Sequence, residues 1–258
     1  MKNILHRTLA ALLALMLVLG MTFSASAAGY SSRISSIMLD YSLTNSRADS
    51  APQQQVNGAY RMVELLEIIA QEKGCASSSV SSIMLDYSLT NSRAKSAPQQ
   101  LVNGTYRTVE LLELIALKLG CSSSSVSSIM LDYSLTNSRA DSAAQQAVNG
   151  AYRTVELLEL IALKLGCSSS SVSSIMLDYS LTNSRAKSAP QQLVNGNYRT
   201  VELLELIALK IGCSSSSVSS IMLDYSLTNS RADSAVQQSV NGLYRSVELL
   251  ELIAKKWD

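Results

Sequence analysis

Between Val155 and Leu165 the chain is apolar on nearly every side of a helix. Val155, Leu157, Leu158, Leu160, Ile161, Leu163 and Leu165 leave little polar surface. A segment of this kind belongs where neighbours cover it on several sides. Equivalent runs occur along the whole chain, and their flanks carry helix punctuation. Ser50-Ala51-Pro52-Gln53 reads as an N-cap followed by a proline in the first turn, where a missing N–H costs little. Gly74, Gly120, Gly166 and Gly212 stand where a C-cap glycine belongs. The pattern predicts a helix of roughly 22 residues, about 33 Å long.

Upstream of each such run lies a more ambiguous segment. Val126, Ile129, Met130 and Tyr133 follow i, i+3, i+4, i+7, which suits an amphipathic helix after the Ser122–Ser125 cap region. Ile129, Leu131, Tyr133 and Leu135 also alternate, which suits a strand. The two halves together recur five times without a gap, as 29–74, 75–120, 121–166, 167–212 and 213–258, each of 46 residues. A period in the forties is best met by a pair of helices. The expected fold is therefore all-α, an α-solenoid of five helix-pair repeats, with strand–helix α/β repeats as the alternative.

Differences between copies sharpen this expectation. Leu117, Leu163 and Leu209 of the internal repeats correspond to Gln71 in the first and Lys255 in the last. Leu119, Leu165 and Ile211 correspond to Lys73 and Trp257. Polar replacements confined to outer units suit a stack whose terminal faces have no neighbour. Asp49, Lys95, Asp141, Lys187 and Asp233 alternate in charge, so neighbouring units stacked in register would place opposite signs side by side at every junction. Exposed pairs of this kind are worth only about 0.2–1 kcal/mol, enough to set register but little stability. Duplication of a two-unit block would produce the same alternation. A drifting stripe runs through Pro52, Gln55, Ala59 and Met62 in the first unit and Val236, Ser239, Leu243 and Ser246 in the last. It marks one helical side, either a neutral surface or one tuned to a partner.

Composition changes the picture mainly at the N-terminus. Lys2 and Arg7 precede the uncharged run Leu9–Phe23, and Ser24-Ala25-Ser26-Ala27-Ala28 offers a small-residue cleavage site after Ala27. This is the layout of a secretory signal peptide over residues 1–27, ahead of a repeat domain at 28–258. The apolar run is shorter than the ~20 residues of a membrane span. The expected product is secreted or displayed at the cell surface, without a membrane span. Cleavage removes His6, the only histidine, and leaves 19 basic and 20 acidic side chains. No global field then favours nucleic acid.

Chemistry is sparse. Serine and cysteine hydrolases normally require a base, most often histidine. Cysteines Cys75, Cys121, Cys167 and Cys213 stand one per repeat, so Cys/His zinc spacing is absent. In an exported chain four cysteines suggest two disulfides, yet equivalent positions in stacked helices lie on the order of 10 Å apart, beyond the ~7 Å reach of a bridge. Free thiols, inter-chain links and distorted internal bridges stay open. Asp132 to Asn137 followed by Asp141 faintly resembles an oxygen-rich calcium loop but lacks its central glycine and terminal glutamate. Glu156 and Glu159 are better read as surface carboxylates, Glu156 with Arg153 one turn away, than as a catalytic pair. No cofactor and no enzymatic activity are expected.

One polar face remains as a binding candidate. Gln53, Asn57, Arg61 and Glu64 fall within about 80° on the long helix. They recur as Gln99, Asn103, Arg107 and Glu110; as Gln145, Asn149, Arg153 and Glu156; as Gln191, Asn195, Arg199 and Glu202; and as Gln237, Asn241, Arg245 and Glu248. Stacked, they form a polar ladder edged by Tyr152-type rings. Such a ladder suits a protein or a polymeric glycan or wall strand, and equally a hydrogen-bonded seam between repeats. The expected function is a secreted, non-catalytic binding scaffold. The alternative is a structural protein that self-assembles or links through cysteine into an extracellular array.

Overall fold

The computed structural model describes residues 29–257, and the signal-peptide reading of residues 1–27 lies outside them. The described residues are all-helical. Each repeat contributes a short helix and a long one: α1 (Tyr30–Ser46) and α2 (Ala51–Glu72), α3 (Ser77–Arg93) and α4 (Ala97–Lys118), α5 (Ser123–Ser138) and α6 (Ala143–Lys164), α7 (Ser169–Arg185) and α8 (Ala189–Lys210), α9 (Ser215–Ser230) and α10 (Ala235–Trp257). The strand alternative is excluded for these segments. In α5, Val126 and Tyr133 are buried and Ile129 and Met130 pack against the core, whereas Leu131 and Leu135 face solvent. The 3.6-residue period wins because the members that make the sequence look alternating are those left outside.

Local signals act where the sequence places them. Ser142 is extended and its hydroxyl accepts from the Gln145 N–H at 3.2 Å, which caps α6. Gly120 adopts φ +83°, and Cys121 N–H donates to Ala116 C=O at 2.9 Å, a Schellman-type closure of α4. The Lys164 stem lies over that glycine, bringing a cation to the carbonyl end of α4.

The long helices pack side by side and in register, α2 on α4, α4 on α6, α6 on α8 and α8 on α10. The series does not end there, because α10 packs on α2 as closely as any internal pair, and also touches α1. Five parallel helices thus form a closed ring around a central axis, with the short helices outside it. Closure corrects the open-solenoid reading and the inference drawn from its ends. Leu117, Leu163 and Leu209 are themselves 39–40% exposed, so Gln71 and Lys255 occupy a position that is wet all round the ring. The other pair meets across the closing junction, with Lys73 Nζ 4.0 Å from the centre of the Trp257 ring. Trp257 also seals the lower axial core beside Leu250 and Ile253. The charge alternation does not survive closure either. An odd number of units makes Asp233 and Asp49 neighbours, and none of the five residues joins an ion pair among the described residues.

The drifting stripe lines the axis. Ala59, Thr105, Ala151, Asn197 and Leu243 form one layer; Met62, Thr108, Thr154, Thr200 and Ser246 form the next. These upper layers are mixed, whereas the lower axis is closed by five identical leucines (Leu66, Leu112, Leu158, Leu204 and Leu250) and five identical isoleucines. Asn197 is paid attention by its neighbour: its Nδ2 donates to Ser239 Oγ at 2.7 Å.

Candidate functional site

The polar ladder lies between the ring and the outer helices. Arg61, Arg107, Arg153, Arg199 and Arg245 are buried, each paired with the glutamate three residues on. Each guanidinium also sits 4.9–5.0 Å from the centre of the preceding tyrosine ring. Burial pushes the carboxyls of Glu64, Glu110, Glu156, Glu202 and Glu248 above the usual range, opposed by the arginine hydrogen bond. Arginine and glutamate are therefore brought together as an inner seam.

The remaining ladder residues divide by repeat. In the units bearing Asp49, Asp141 and Asp233, the glutamine amide donates to the asparagine one turn on, as Gln145 Nε2 to Asn149 Oδ1 at 3.4 Å. In the units bearing Lys95 and Lys187, Gln99 and Gln191 instead accept from the lysine backbone N–H at 3.0 and 2.9 Å. There the short helix runs one residue further, to Arg93 and Arg185. The charge alternation thus tracks two linker conformations. Asn57 donates to Thr44 C=O at 3.2 Å, tying long helix to short.

The tyrosines at the edge of the ladder are partly open to solvent, as are Gln99 and Gln191. Tyr60, Tyr106, Tyr152 and Tyr198 are 36–37% exposed. Each stacks on a buried tyrosine of the next repeat, at 5.3–5.5 Å between ring centres, and Tyr244 meets Tyr41 in the same way at closure. Beside the Tyr198 junction opens a groove of about 390 Å³, lined by Tyr198, Met222, Tyr225, Ser226, Asn229 and Ser230. The same residue types recur at every junction. The side-chain oxygens of Asn45, Asn91, Asn137, Asn183 and Asn229 are sealed from solvent beneath the groove and have no hydrogen-bond partner among the described residues. The Asp132–Asn137 string is helical rather than a loop, with Thr136 Oγ1 donating to Asp132 C=O at 2.8 Å.

The four cysteines are free and half-buried, one per junction. Cys121, Cys167 and Cys213 donate to carbonyls of the following long helix at 3.5–3.6 Å. Burial raises their thiols, partly offset by a nearby lysine at each. None has the depressed value of an activated nucleophile.

Set against models of known families, curated proteins and solved structures, the chain has no match.

Proposed function

We propose that this chain is an exported, non-catalytic scaffold that binds a polymeric glycan through five equivalent grooves around its ring. The observation that supports this most is the groove itself: a half-exposed tyrosine ring beside the exposed hydroxyls of Ser226 and Ser230. A sugar ring can lie on the tyrosine face while its hydroxyls donate to those serine oxygens. Closure gives the ladder a new meaning, since five sites face outward in different directions rather than along one line. A ring of this kind engages several strands, or one strand that wraps it, and gains avidity from multiplicity rather than from any single tight site. The reading is tested by titrating a panel of soluble wall and surface oligosaccharides against the protein. A fragment bound weakly, at up to five per chain, and lost stepwise in Tyr106→Ala, Tyr152→Ala and Tyr198→Ala combinations is the expected result. Failure of every glycan in the panel would overturn it.

The second reading, a self-assembling structural protein, draws on a different feature. Leu39, Leu85, Leu131, Leu177 and Leu223 are 61–62% exposed on the outer helices, each with another exposed leucine four residues on. This apolar belt faces sideways, so assembly would be lateral, and a closed ring has no free terminal repeat to stack on. Light scattering with and without reductant separates the readings: a concentration-dependent, reductant-insensitive rise in mass favours the lateral array.

A further inference from the structure

At the end of the ring where the five long helices begin, the axis opens into a cup of about 150 Å³. Pro52, Pro98 and Pro190 stand at its rim, and Leu101, Leu193 and Ala147 line it below. One side chain breaks this apolar wall. Gln55 is 7% exposed, lies in the same layer as Leu101, Ala147 and Leu193, and makes no side-chain hydrogen bond to any described residue. Its neighbour in the layer, Ser239, is already engaged by Asn197. Its carboxamide is not fully sealed from solvent, so it faces the cup and is open to water there. No described residue satisfies it, so its partner is either water or a molecule seated in the cup.

We propose that this cup is a binding site for a small, mainly apolar molecule of phenol size that carries one hydroxyl. Three features set that chemistry. The volume matches that of a dry apolar cavity able to hold benzene. The wall rewards an apolar body, and the single amide rewards one polar group placed at one point of the circumference. Gln55 can accept from the hydroxyl or donate to it, whereas toluene would displace water from the amide and leave it unpaired. The five helix N-termini that surround the mouth add a positive potential, which favours an electron-rich head over an ammonium. The site is independent of the outer grooves, because no residue is shared.

The test uses phenol and toluene on the full chain, followed by calorimetry and by shifts of the Leu101 and Leu193 methyl resonances. Phenol should bind one per chain, about five- to tenfold more tightly than toluene. Gln55→Leu installs the residue that the second and fourth repeats carry at this place, and should bring the ratio close to one. Ala147→Leu fills the cup and should abolish both. Equal affinity for the two probes in the unaltered chain would overturn the role of Gln55. Absence of saturable binding for either would overturn the site, and neither outcome depends on a variant folding.

Discussion

At the scale of single residues, the glycine in the middle of each long helix shows how a locally poor choice serves the ring. An interior glycine costs roughly 1 kcal/mol against alanine. A Cβ added at Gly150 would lie 2.9 Å from Thr105 Cβ of the preceding repeat and 3.4 Å from the hydroxyl of Tyr133. Thr105 is branched at that atom and fixed on its own helix, so it cannot turn aside. Gly104, Gly196 and Gly242 meet Ala59, Ala151 and Asn197 just as closely, and Gly58 meets Leu243 across the closure. The clash should outweigh the gain in helix propensity. Gly150→Ala is expected to lower the unfolding free energy by about 1–2 kcal/mol, read from urea midpoints at constant m-value. A stabilised variant would show that the helices can move apart at no cost.

At the scale of elements, the long helix was legible almost to the residue. The capping serine and early proline at one end, and the positive-φ glycine at the other, each act within a few residues of their own helix terminus, and they need no knowledge of the rest of the chain. The short helix was legible through Val126, Ile129, Met130 and Tyr133, all of which face the core, but its outward leucines mimic a strand pattern. The ladder residues were found but not their division of labour. Arg153 and Glu156 look like a surface pair in sequence, and only the outer helix laid over them makes the arginine buried. That cover has a consequence for pH. Burial holds the five paired glutamates, and Glu113, Glu159 and Glu205 beside them, above the ordinary carboxylate value. Through the window from that ordinary value, near 4.5, up to the raised folded values, the folded chain holds more protons than the unfolded one. Stability contributed by these groups therefore falls as pH rises through that window. The melting temperature should climb as pH is lowered from 7 toward 5, and Glu159→Gln, which removes a raised carboxyl without an arginine partner, should reduce the climb. A melting temperature that drops steadily over the same range would show that the carboxylates are held in their charged form.

At the scale of the whole molecule, ring closure could not be read from the repeats, because nothing within a 46-residue unit states the rotation to the next. The polar residues at the two ends pointed towards free faces, and one of those pairs turns out to be a contact, Lys73 on Trp257. The drifting stripe held the better clue. Its residues can vary from unit to unit because they share one axial layer, where each side chain is completed by the other four. Closure makes a sharp prediction about the number five. Excising residues 121–166 joins Gly120 to Cys167, and the local sequence at the new junction is unchanged, because Gly120 is followed by cysteine either way. An open stack would lose one unit and its interface, and would remain a folded monomer. A ring cannot close with four units that each turn a fifth of the way round, so both edges would expose apolar core and the axial layers would lose their complement. The excised chain should therefore unfold at much lower denaturant or associate through its open edges. The companion experiment keeps all five units and moves only the break. Joining residue 258 to Gly29, with Asp258→Gly to match the cap glycines of the other repeats, and opening the chain between Gly120 and Cys121 gives a circular permutant. Its unfolding free energy should stay within about 1–2 kcal/mol of the original, because every lateral contact is retained and one exposed linker is exchanged for another. A folded four-unit monomer beside an unfolded permutant would reverse the order a ring requires, and with it the assignment of the axial stripe.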